Sequence, residues 1–433
     1  MRVSGILTIG TAFLVAAAGS TKDLCPPMFC SCSDQDNSAN CAGRGLLKTP
    51  PSLPATLKSL DLSKNELESV ETTDIEAMSD LQVLDLSSNR LTALAFTGTH
   101  YKLRKLDLSS NNITSVRSLK IETLIHLSEL NLANNKIISV PSTAFPGGAF
   151  LRTLNLKNNQ IVSLDEKCMD SLTSLETLIL SRNNLSSFPK GLFKQMKSLQ
   201  TLEVNKNKFV EVQSLMLLGL SNLRVLRFRR NQIEYLNDGA FWGLEKIQEL
   251  SLDRNKINVV TKGWLYGLNS LTYLSLAHND VDYIDDDAWQ YLMNLDELDL
   301  RSNKLQVLDP ISLSNLPNLA HLYLQDNKIS QIEEKTFNNL AKLETLALDG
   351  NELSHTIENM EAPFWNLTKL NTLSLSHNAF NSIGQAAFRG GLQNLEVIDL
   401  RDNVISTVQE NAFDNLPRLR TILMNSASML CDW

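Results

Sequence analysis

Apolar residues along this chain keep fixed distances from an asparagine that recurs from one end to the other. Around Asn231 the frame is Leu223, Leu226, Phe228, Asn231 and Ile233. Apolar positions therefore fall eight, five and three residues before the asparagine and two after it. The same frame surrounds Asn65, Asn89, Asn111, Asn135, Asn159, Asn183, Asn207, Asn255, Asn279, Asn303, Asn327, Asn351, Asn378 and Asn403. From Asn111 to Asn351 the step is 24 residues, ten times running. Within each unit the alternation predicts a short strand whose side chains face opposite ways. In the unit of Asn231, Leu226 and Phe228 are expected in the core, and Val225, Arg227 and Arg229 are expected outside. The asparagine falls where the strand ends and the chain turns inward. Its amide both donates and accepts, so it can satisfy backbone groups of its own coil and the adjacent one. An unpaired buried polar group costs about 1–3 kcal/mol, which is a reason to repeat a polar residue at an interior position.

A repeat of this length and composition marks a leucine-rich repeat solenoid, and the expected fold class is α/β. The architecture predicted is a horseshoe with a parallel concave β-sheet and a disulfide-bonded N-terminal cap. Each coil buries its apolar face only against its neighbours, so the array is read as one body. The expected organisation is a signal peptide at 1–20, a cysteine-rich cap at 21–50 and fifteen repeats at 51–418. Residues 419–433 are read as the start of an incomplete C-terminal cap. Phe241, Phe337, Phe388 and Phe413 stand ten residues after their asparagines, and Phe364 stands thirteen after in a lengthened unit. They predict a stack filling the convex half of the coils. Cys168 falls nine residues after Asn159, in the slot of Ala240, and is expected as a small, buried, inert side chain. Two steps are irregular: Asn89 to Asn111 is 22 residues, and Asn351 to Asn378 is 27. The longer one contains Ser354 to Glu361, read either as a projecting binding loop or as a tolerated bulge.

The ends of the chain add a compartment. Arg2, the apolar run Ile6 to Ala18, and small residues from Ala16 to Ser20 read as a secretory signal peptide. No later apolar stretch approaches the length of a membrane span. Cys25, Cys30, Cys32 and Cys41 follow at once, an even set that reads as two disulfides in an oxidising compartment. Spacing alone leaves three pairings open, with a zinc site as the competing reading. Sequons at Asn112, Asn184 and Asn366 mark candidate glycan sites and fit the same compartment.

Candidate chemistry is sparse. The six histidines are scattered, and no metalloprotease helix, phosphate loop or nucleophile elbow is recognisable. The expectation is no enzyme, no cofactor and no metal. Asp61, Asp85 and Asp107 form one outward column, read as a solvated acidic strip in preference to a calcium site. A formal charge of −8 argues against a nucleic-acid partner. The outward positions of repeats seven to twelve are more informative. Arg227, Arg229, Arg254, Tyr273, Asp299, Arg301, His321 and Tyr323 gather there, flanked by Glu203 and Glu297. Arginine and tyrosine anchor protein interfaces more often than other residues, so these positions predict a docking face for a protein partner.

The cysteine cluster resembles the N-terminal cap of extracellular leucine-rich repeat proteins, which implies the pairs Cys25–Cys32 and Cys30–Cys41. Three further stretches carry a wider resemblance: Gly239 to Leu244, the lengthened unit around Thr356-Ile357-Glu358, and Leu430-Cys431-Asp432. With the cap and the fifteen repeats, they look like the extracellular part of the leucine-rich repeats and immunoglobulin-like domains family, over residues 25–433. The resemblance implies a single-pass membrane glycoprotein that binds and restrains growth-factor receptors, located at the cell surface or outside the cell. Its implied partner is a cell-surface receptor or its ligand, with a homodimer also allowed. The chain departs from the family where Trp433 stands in place of a second cysteine. That departure is read as a fragment in preference to a secreted short form, and leaves Ile422, Met424 and Leu430 expected as an exposed apolar end. A matrix adhesion protein and a pattern-recognition receptor are the alternative readings.

Overall fold

The computed structural model describes residues 29–33, 35–70, 72–94, 96, 102–119, 121–142, 144–354 and 362–425. Two cap strands, Ser31–Ser33 and Ser38–Asn40, pair antiparallel, with Cys32 opposite Ala39. The second then pairs in parallel with Ser59–Asp61, the strand of the first repeat. From there one strand per repeat continues in strict register, so that Leu202, Leu226, Leu250 and Leu274 stand side by side. The sheet has 18 strands and includes Thr421–Leu423, in the segment read from the sequence as opening a cap. Short two-residue strands pair locally on the far side of the coils, as Glu211–Val212 does with Tyr235–Leu236. Helix is scarce among the described residues: one five-residue turn at Thr72–Glu76 and three 3-10 turns. None is long and apolar enough to cross a membrane.

The asparagine ladder does what its chemistry demands. Asn231 Nδ2 donates to Val204 O of the preceding coil at 3.0 Å and to Phe228 O of its own at 2.9 Å. Its Oδ1 accepts from the backbone N–H groups of Asn207 and Phe209. Leu226, Phe228 and Ile233 around it are fully buried. Leaving such backbone groups unpaired would cost about 1–3 kcal/mol each, so the amide stabilises two coils at once.

Aromatic packing fills the wider, outer half of the coils. Phe337, Phe364, Phe388 and Phe413 stack with centroids 6.1, 6.4 and 5.4 Å apart, as their spacing predicts. A separate group of edge-to-face and tilted rings gathers Phe188, Phe193, Phe209 and Phe228. Beside the buried Phe241, Trp242 turns outward and stacks on Tyr266 at 4.9 Å. Gly219 has φ +112° in a convex turn, and a Cβ there would meet Phe193 O at 2.5 Å, so the turn requires glycine.

The cap holds a disulfide between Cys30 and Cys41, as expected. Cys32 is also disulfide-bonded, while Cys25 lies outside the described residues, as do the signal segment, residues 355–361 of the insertion, Leu430 and Cys431. Cys168 is buried, and burial pushes its thiol up to about 12, with Asp165 adding to the shift. That environment suppresses thiolate chemistry. Ile422 is partly exposed, and Met424 packs against the core.

Candidate functional site

Outward side chains of adjacent strands stand about 4.8 Å apart, close enough for direct ion pairing. Position four before the asparagine shows the simplest use of that spacing. Asp61, Asp85 and Asp107 each accept the backbone N–H two residues on, from Ser63, Ser87 and Ser109 at 2.8–2.9 Å. Asn131 and Asn155 make the same contact in the next two repeats. This acidic column therefore caps strand ends, a role that side-chain periodicity alone does not display.

Repeats seven to nine carry a bridge across three strands. Arg227 lies between Glu203 and Glu249, with Nη1 2.8 Å from Glu203 Oε1 and Nε 2.7 Å from Glu249 Oε1. The Glu249 bond, followed by that to Glu203, holds the guanidinium proton still more firmly than usual. Arg229 Nε approaches Asp253 Oδ2 at 2.7 Å, a charge contact whose N–H does not point at the oxygen. The other oxygen of the buried Asp253 accepts from Ser275 Oγ.

Repeats ten to twelve bring together Tyr273, Glu297, Asp299, Arg301, His321 and Tyr323, on strands paired in register. Arg301 grips the buried Asp299 through Nε at 2.9 Å and Nη2 at 2.6 Å, and its Cζ lies 5.6 Å from the Tyr323 ring centroid. Arg401 grips Asp399 in the same way four repeats on, so the i, i+2 clasp itself is part of the framework. The aromatic ring beneath it is the local addition. Burial raises both tyrosine hydroxyls above their ordinary value and raises Glu297 as well. Next to Tyr323, the buried His321 Nδ1 and Gln325 Oε1 have no hydrogen-bond partner.

Arg254 stands apart from the other seven residues expected on this face. It occupies the position just before the ladder asparagine, on the rim, where it contacts His278 Nε2 at 3.3 Å. Burial, then the charges of Arg254 and Arg301, depress the His278 imidazole below its ordinary value. Of the candidate glycan sites, Asn112 and Asn184 are half-buried at the rim. Asn366 Nδ2, the atom a glycan would be joined to, already donates to Asn338 O at 2.9 Å.

The leucine rich repeat family profile matches residues 55–100, 101–161, 149–209, 197–257, 246–305, 293–353 and 368–428. Human leucine-rich repeats and immunoglobulin-like domains protein 1 is 38% identical over 85 residues. That stretch is 20% of this chain and 7% of the relative, so the match spans a small part of the longer protein. Among solved structures, a leucine-rich repeat protein of Leptospira interrogans superposes with TM-score 0.60 and 25% identity, over 88% of this chain and 94% of that one. The Drosophila Toll–Spatzle complex gives 0.68 and 19%, over 88% and 59%.

Proposed function

The chain belongs to the leucine-rich repeat family, and from that membership we propose a non-enzymatic extracellular module that binds a protein partner on the concave face of repeats seven to twelve. The observation that carries this reading is the assembly of Asp299, Arg301 and Tyr323. An arginine already oriented by a buried carboxylate and an aromatic ring loses little freedom when a partner docks. The partner class we propose is a cell-surface receptor or its ligand, with growth-factor receptor signalling as the process regulated. The relation to the human immunoglobulin-like domains protein supports that choice, and Toll, whose fold is similar, is found in a complex with Spatzle.

Proximity labelling with the chain displayed on cells would supply candidates, followed by binding of each to the purified chain. The double variant Arg229→Glu, Arg301→Glu is expected to weaken the true partner by about 30-fold or more, equivalent to about 2 kcal/mol. Unchanged affinity would sink the assignment to this face.

A further inference from the structure

The position immediately before each ladder asparagine has a left-handed backbone throughout the described repeats, with φ between 53° and 66°. Side chains other than glycine, asparagine, aspartate and similar short polar groups are disfavoured there. Much of the column obeys: Ser88, Ser110, Asn134, Asn158, Ser302, Asp326, Gly350 and Asp402. Repeats six to nine break the rule four times in succession with Arg182, Lys206, Arg230 and Arg254. Long cations thus recur where local conformation resists them.

Their environment does not explain them as structural ion pairs. Among the described residues, none of the four side chains pairs with a carboxylate, whereas cations elsewhere on the coils do, as Lys256 does with Glu234 and Lys304 with Asp280. Around Lys206 the nearby charges are alike: Arg182 first, then burial, Arg230 and Lys157, depress its ammonium below its ordinary value. The backbone fixes the line, since Arg182, Lys206, Arg230 and Arg254 donate N–H bonds to carbonyls of the following coil at 2.7–2.8 Å. Four cations therefore rise in single file, in steps of about 5 Å, on a protein whose formal charge is −8.

We propose that this rim column is a docking strip for a linear sulfated polysaccharide. A single anion would engage one or two of these side chains, whereas a polymer with anions at intervals engages all four. Three of the four are guanidinium groups, whose fork matches tetrahedral oxyanions. The flanking positions Ser181, Asn205, Arg229 and Asp253 carry no aromatic ring on which nucleic-acid bases would stack. The Cys30–Cys41 disulfide belongs to an oxidising compartment, where sulfated glycans are an available linear polyanion. This surface is distinct from the concave face, and the inference holds whether or not a protein docks there.

The test uses immobilised heparin as probe, with the full chain and the variant Arg182→Asn, Lys206→Asn, Arg230→Asn, Arg254→Asn. Asn134 and Asn158 show that the fold accepts asparagine at this position. The parent is expected to bind heparin, and the variant to lose at least about tenfold in affinity, with the salt dependence of log K flattened by about three. A control variant, Lys256→Asn with Lys304→Asn, removes two paired cations and should bind like the parent. Chemically desulfated heparin should not be retained. Equal binding by parent and quadruple variant would overturn the proposal. So would equal binding of desulfated heparin, and tighter binding of single-stranded RNA than of heparin would reassign the strip to nucleic acid.

Discussion

Arg227 and Arg230 stand three residues apart in one repeat and live in opposite surroundings. Arg227 lies on the concave sheet between Glu203 and Glu249 and is about one-third exposed. Arg230 lies on the rim with like charges in its own column and no acid bound to it among the described residues. The concave site is a set of cations neutralised in place and therefore oriented. The rim is a set of cations left in excess and therefore attractive at a distance, in a manner that salt screens. On the roles proposed for them, neighbouring surfaces of one scaffold would serve different tasks, the first fit and the second capture.

The largest expected effect removes what both surfaces stand on. Asn231→Ala leaves the N–H groups of Asn207 and Phe209 without their acceptor and removes one of the two amide donors at Val204 O and at Phe228 O, and should cost about 3 kcal/mol. Urea unfolding would measure it, and a cost no larger than that of a surface substitution would show that the ladder is not the common framework. Next comes Arg227→Met, which leaves Glu203 and Glu249 without their shared cation. Solvent screening limits the expected loss to about 1 kcal/mol, seen as a lowered unfolding temperature. The smallest effect has the opposite sign. Arg230→Asn exchanges a long side chain for one tolerant of its left-handed backbone, and should raise stability by about 0.5 kcal/mol. If Arg230→Asn destabilises as much as Arg227→Met, the two surroundings are not different in kind.

The frame of each repeat is legible in the sequence because its cause is local and recurs every coil. Spacing alone places Leu226, Phe228 and Asn231 correctly, and it places Cys168 in the core where it is found. Two features escape it for different reasons, the first set by how each strand ends and the second existing only between repeats. Asp61, Asp85 and Asp107 are visible as a column, yet the N–H each one caps depends on how the strand ends. Neighbours in sequence suggest the concave face for Arg254, while its register position puts it with Arg182, Lys206 and Arg230. The signal is a basic residue immediately before four successive asparagines. It is seen only when the chain is read vertically, at 24-residue intervals. The Arg301–Tyr323 contact is unreadable for a further reason, since side-chain orientation above a ring is set by packing.

The asparagine amides have a mechanical consequence as well. Both polar atoms of each amide reach into the coil before it, so neighbouring coils are joined by the same small clip at nearly the same place. Clips in series transmit tension undiminished from one to the next, and the assembly yields where a single clip is weakest. A pull directed along the stack would therefore open it coil by coil from the softest junction. A pull across the sheet would load many clips together and meet far greater resistance. Direction of force, more than its size, decides whether such a molecule holds.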